Sequence, residues 1–179
     1  MAQGDSLFIW LMRLWRHLWQ SDRAAWQAVP DDMATRLSAR VRASEQRHNG
    51  QIRVCVEAAL PLSYAWRAGR QAPLHTVLRQ RAVAWFGRLR VWDTEHNNGV
   101  LIYLLLAERR IEILADRGLM RHTTETHWQG VVQGLRQRLQ SGDFETGLTQ
   151  ALEEVSALLV THFACAEHPN ELPDLIVRA

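Results

Sequence analysis

The run from Val100 to Ala107, Val-Leu-Ile-Tyr-Leu-Leu-Leu-Ala, carries no charged side chain. A strand with one face in water alternates apolar and polar positions, because successive side chains point to opposite faces. A run without that alternation fits a central strand buried on both sides. Such a strand needs helices over each face of its sheet. Glu108 and Arg109 make a short turn, and Arg110 to Ala115 returns as a second strand, so the two form a hairpin.

The rest of the chain supplies the helices. Asp31 and Asp32 open a helix after Pro30, with Met33, Leu37 and Val41 on one face and His48-Asn49-Gly50 ending it. Gln51 to Ala59 reads as a strand in which Ile52, Val54 and Val56 alternate with Arg53, Cys55 and Glu57. Leu60 to Ala72 reads as a loop anchored by Tyr64 and Trp66, and Pro73 suits the first turn of the next helix. After the hairpin, Thr123 or Thr124 caps a helix with Trp128, Val131, Leu135 and Leu139 on its face. Asp143 caps a last one through Leu148, Leu152, Val155 and Leu159. The order is α-β-α-β-β-α-α, which predicts an α/β fold: a mixed sheet with helices on both faces, in three α/β/α layers. The expected organisation is a Trp-rich helix and linker over residues 1–26, the α/β domain over 27–163, and an extended tail over 164–179 docked through Leu175, Ile176 and Val177.

The front helix is the second strong signal. Asp5 and Ser6 can cap it. Leu7, Leu11, Leu14 and Leu18 centre one face, which Phe8, Trp10, Trp15 and Trp19 widen, while Arg13, Arg16, His17 and Gln20 gather opposite. Trp with Arg suits a membrane interface, where indoles sit at headgroup depth and guanidinium groups snorkel. The same face also suits packing on the domain core or on a dimer partner. The segment is too short and too charged to span a bilayer, which takes roughly 20 apolar residues.

Composition excludes several classes. A net charge of +2 gives no field that argues for nucleic acid, although all 21 basic residues are Arg. The two cysteines, Cys55 and Cys165, match no metal or redox spacing, and no secretory signal is visible; a cytoplasmic protein is expected. No phosphate-binding glycine loop or nucleophile elbow is present.

Asn97-Asn98-Gly99-Val100-Leu101 leads into the apolar strand. Arg110-Ile111-Glu112-Ile113 and Gly118-Leu119 follow, then Gly142-Asp143-Phe144 and Gly147-Leu148. In this order and spacing, the chain from Asp31 to Phe163 resembles the TPM domain family. The stretch Val91 to Gly99 resembles the bacterial branch that lacks a C-terminal membrane anchor. The resemblance implies an α/β/α fold. It also implies two activities seen among members, phosphatase action and binding of Ca²⁺ or another divalent ion, and an association of bacterial members with LemA-like membrane proteins. The chain departs from the better-known branch after the hairpin. Met120 and Arg121 follow Gly118-Leu119 where an acidic residue is usual, and His122-Thr123-Thr124-Glu125 replaces a Leu-Pro-Asp type run.

Candidate chemistry centres on Asp116, Arg117 and Glu125. Asp116 and Glu125 offer the oxygen ligands that Ca²⁺ or Mg²⁺ prefers, and Arg117 could clamp a phosphate. Asp116 and Glu125 equally suit an ion pair with a nearby Arg and a helix N-terminus. Asp93, Glu95 and His96 precede a strand, whereas Asp116 follows one, so the two groups are expected at opposite edges of the sheet. The spacing of His122, Glu125 and His127 is wrong for a zinc helix. Asn98-Gly99 is expected to shape a turn.

Two functions follow. The first is an accessory or interaction module of unassigned activity, held at the inner face of the membrane by Leu7, Trp10, Leu11, Leu14, Trp15, Leu18 and Trp19. The second is a divalent-cation-dependent phosphatase acting on phosphomonoesters.

Overall fold

The computed structural model describes residues 7–165 and 170–179, so Asp5 and Ser6, the expected caps of the first helix, lie outside the described residues. The central apolar run forms β2 (Val100–Leu105), with all six residues buried. On one side β2 pairs antiparallel with β3 (Arg110–Ala115), and on the other it pairs parallel with β1 (Ile52–Glu57), with Ile52 opposite Val100 and Glu57 opposite Leu105. The tail supplies β4 (Val177–Arg178), parallel to β1, so the sheet order is β3-β2-β1-β4.

Side-chain alternation along these strands divides the core. Val54, Val56, Ile102, Leu104, Ile111 and Ile113 face one layer of helices. That layer contains α2 (Arg23–Ala28), α3 (Asp31–Glu45), α7 (Glu125–Gln140) and α8 (Phe144–Phe163). Cys55, Leu101, Tyr103, Leu105 and Leu114 face the other layer, which holds α1 (Leu7–Trp19), α4 (Leu62–Arg67) and α5 (Leu74–Arg88). Covered on both faces, β2 carries no charged residue, whereas the equally buried β1 holds Arg53 and Glu57. The stretch expected as a loop contains α4, whose Ala65 is fully buried. Thr124 and Asp143 cap α7 and α8 by accepting from the N–H groups of His127 and Thr146.

One buried charge is fully paired. The carboxylate of Glu57, at the end of β1, accepts from Arg81, from the Trp85 indole N–H at 3.1 Å and from the Tyr103 hydroxyl at 2.5 Å. Cys55 is buried, and burial pushes its thiol up.

Candidate functional site

Because β3 runs back along β2, the end of β3 lies beside the start of β2. Asp116 N–H donates to the Gly99 carbonyl at 2.8 Å, and Gly118 N–H to the Asn97 carbonyl at 2.8 Å. Arg117 donates through Nε and Nη2 to Asn97 Oδ1 at 3.1 and 2.9 Å. The loop from Asp93 to Asn98 and the pair Asp116-Arg117 therefore share one edge. This corrects the expectation that they lie at opposite edges: an antiparallel hairpin places the end of one strand next to the start of the other.

Local backbone explains the Asn-Asn-Gly signature. Asn97 holds a left-handed φ of 52°, which Asn tolerates. Gly99 is needed for space rather than for a turn, since a Cβ there would lie 2.0 Å from the Val91 carbonyl oxygen. Gly118 is similar, with the His96 and Asn97 carbonyl oxygens at 2.4 and 2.5 Å from a Cβ. Asn98 is fully buried and donates through Nδ2 to Asn49 Oδ1 at 2.9 Å. Asp116 caps the short α6 (Arg117–Met120), its Oδ1 accepting from Arg117 N–H. Asp116 Oδ2 and Asn98 Oδ1 are buried and have no hydrogen-bond partner among the described residues.

Glu125 sits elsewhere. It lines a cleft of about 590 Å³ between α5, β3 and α7 with His75, Arg79, Glu112 and Arg136, and neither Asp116 nor Arg117 lines that cleft. The single turn of α6 redirects the chain, so α7 begins beside β3 near Glu112. Burial raises the pKa of Glu112, and the charge of Glu125 adds to it against the opposing Arg79. Among the described residues, no group of three or more His, Cys, Asp or Glu is placed to hold a metal. His122 stacks on His162 with ring centroids 4.6 Å apart, and His127 meets Trp128 edge-on.

The tail adds polar residues that the pattern reading missed. Asp174 accepts from Arg42 Nε at 2.9 Å and from Asn170 Nδ2 at 2.7 Å, and Leu172 N–H donates to Gln51 Oε1 at 2.9 Å. Glu45, at the end of α3, accepts from Ile52 N–H at 2.7 Å. Burial, with the nearby Asp174 carboxylate, pushes the Glu45 pKa up to about 8. The run Asn170-Glu171-Leu172-Pro173-Asp174 was the available signal.

The first helix docks by its polar side. Trp10 Nε1 donates to the Trp66 carbonyl, Arg13 Nη1 to the Ala68 carbonyl and Arg16 Nη1 to the Ala107 carbonyl, at 3.1 to 3.2 Å. His17 Nδ1 accepts from Leu60 N–H, so the ring proton sits on Nε2 and donates to Glu108 at 3.1 Å. Trp10 and Leu14, expected on the outer contact face, are buried against the domain. Leu7, Leu11, Trp15, Leu18 and Trp19 are exposed, as are Phe8, Ile9 and Met12, with Trp19 at 73%. Arg13 and His17, read as the outer polar side, point inward because Glu108 receives both, the Ala68 carbonyl accepts from Arg13 and the Leu60 N–H donates to His17.

A four-stranded mixed sheet between two helical layers, with a polar hairpin edge and a helix docked polar side in, defines an α/β/α domain. The TPM domain family model matches residues 27–158, and the chain belongs to that family. No curated protein sequence matches it. The solved NMR structure of BA42 protein from the psychrophilic bacterium Bizionia argentinensis has the same fold, with a TM-score of 0.70 and 22% identity, over 84% of this chain and 95% of that one.

Proposed function

We propose that the protein is a membrane-peripheral accessory module, held at the cytoplasmic face of a membrane by the outer face of α1, where its TPM domain meets a membrane-bound partner. The family association makes a LemA-like protein the first partner to test. The orientation of α1 carries the reading. Its polar groups are committed to the domain, and eight large apolar side chains face outward. A helix of 13 residues is about 20 Å long, short of a hydrocarbon core of roughly 30 Å, so it lies on the interface. No helix among the described residues is long and apolar enough to cross a membrane. Each outward side chain is half exposed or more and contributes about 1 kcal/mol on entering lipid, so together they are comparable to a single myristoyl anchor. The test is co-sedimentation of the full chain with phosphatidylglycerol vesicles, alongside a Leu11→Gln, Trp15→Ser, Trp19→Ser variant. The chain is expected to sediment and the variant to stay in solution; equal sedimentation of both would overturn the role of this face.

A second reading, the divalent-cation-dependent phosphatase, is favoured by Asp116 Oδ2 and Asn98 Oδ1, two buried oxygens without partners on one edge. Their chemistry suits Ca²⁺ or Mg²⁺, although a single carboxylate leaves most of the coordination to carbonyls and water. A bound cation would neutralise charge on a phosphate oxygen. Arg117, oriented by Asn97 Oδ1, would hold the phosphate through its remaining N–H groups, and Glu125 takes no part. Titration of the full chain with Ca²⁺ and Mg²⁺ should shift the backbone amides of Asn97–Gly99 and Asp116–Gly118 saturably, and Asp116→Asn should abolish those shifts. Amides that do not move at millimolar cation would remove this reading.

A further inference from the structure

The carboxyl end of β2 opens on a cavity of about 350 Å³ bounded by α2, α7 and α8, away from the hairpin edge that holds Asp116. Its floor is apolar, built from Leu104, Leu106, Ile111, Leu139 and Phe144, and α2 contributes only Ala24 and Ala28. No Asp or Glu lines it, but Arg109, Arg110 and Arg136 do. Eight other arginines, Arg13, Arg16, Arg36, Arg42, Arg79, Arg81, Arg138 and Arg178, meet carboxylates. The three cavity guanidinium groups meet no acceptor among the described residues. Arg109 also holds a left-handed φ of 49°, a turn position where Gly or Asn is less strained. The backbone there favours a different residue, so the turn itself gives no reason for an arginine.

We propose that this cavity binds a single-chain amphiphilic anion, its alkyl chain on the apolar floor and its carboxylate or phosphate head against Arg109, Arg110 and Arg136. The volume falls in the range of small-molecule sites, and the carboxyl ends of strands are where open α/β sheets place ligands. Guanidinium forks match either headgroup through paired hydrogen bonds. Gln20 and Gln140 also line the cavity, and an aliphatic chain is the complement to the leucines, Ile111 and Phe144 of its floor. The site stands independently of the membrane role of α1.

The test uses the full chain and three probes below their micelle-forming concentrations: dodecanoate, dodecyl phosphate and dodecyltrimethylammonium. Backbone amide shifts locate binding residue by residue and so separate the cavity from the exposed face of α1. Saturable shifts at Leu104–Ile111 and Leu139–Phe144 are expected with the anions and not with the cation. The tighter of the two anions identifies the headgroup. Arg109→Gly relieves the strained turn, so the fold is kept while anion affinity falls about tenfold. Arg136→Gln, on a helix surface that accepts Gln, should act likewise. The proposal fails if neither anion shifts these amides, if the cation binds equally, or if both variants keep full affinity.

Discussion

Replacing Glu108 by Ala tests how α1 is held. The Glu108 side chain is 7% exposed and receives His17 Nε2 at 3.1 Å, Arg13 Nε at 3.4 Å and Arg16 Nη1 at 3.8 Å. Removing one partner of a buried ion pair costs about 3–5 kcal/mol when the other is left without compensation. Here compensation is partial: Arg13 and Arg16 keep their backbone carbonyl acceptors, and Arg16 is half exposed. The expected loss is therefore about 2–3 kcal/mol, from the buried His17 donor left without an acceptor and the weakened Arg13. Glu108→Gln keeps an acceptor for His17 and should lose about 1 kcal/mol. Burial alone would raise the Glu108 pKa, but the His17 hydrogen bond and the Arg13 charge outweigh it, and the net shift is down from the ordinary 4.5. A depressed carboxylate stabilises fully above the unfolded value and loses that stability as pH falls through the folded one. The advantage of the natural chain over Glu108→Gln should therefore hold above pH 4.5 and shrink below it. Urea unfolding followed by Trp fluorescence at several pH values measures both effects. A loss below about 1 kcal/mol in Glu108→Ala would refute the docking role of Glu108, because an exposed surface pair contributes up to about that much.

Other perturbations probe the rest of the molecule. Glu45 has a folded pKa of about 8 against an ordinary 4.5, so its contribution is complete below pH 4.5 and lost as pH rises towards 8. Glu45→Gln cannot lose a proton, and it should be more stable than the natural chain at pH 8 by up to roughly 4 kcal/mol in denaturant titrations. Gly118→Ala places a Cβ against two carbonyl oxygens and should cost about 3 kcal/mol by thermal unfolding, with amide shifts concentrated at His96–Gly99. Arg81→Met leaves Glu57 buried without its cation, and a loss of about 3 kcal/mol in urea unfolding is expected.

The sheet was legible because the run that forms β2 shows its burial directly: six strand positions without a charge demand cover on both faces. The long helices followed from periodicity and from caps such as Thr124 and Asp143, whereas the short α2, α4 and α6 did not. β4 was not legible, because two residues carry no period and their pairing depends on the edge of β1. The facing of α1 was equally hidden. A helical wheel shows which residues share a side, but the inward pull on His17 comes from Glu108, 91 positions later. The hairpin itself was readable, yet its consequence for Asp116 and Asn97 appears only once the strands are laid side by side. The role of Gly99 needs the Val91 carbonyl, which sequence spacing does not place.

The outward face of α1 is tested most directly by depth-dependent quenching. Vesicles containing brominated acyl chains quench only tryptophans that enter the hydrocarbon boundary. The natural chain and a Trp15→Phe, Trp19→Phe variant can be compared, since Phe keeps the face apolar. The account predicts strong quenching in the natural chain and little in the variant, with both chains bound, because Trp10 of the same helix is buried against the domain. No quenching in the natural chain, or equal quenching in the two, would contradict it.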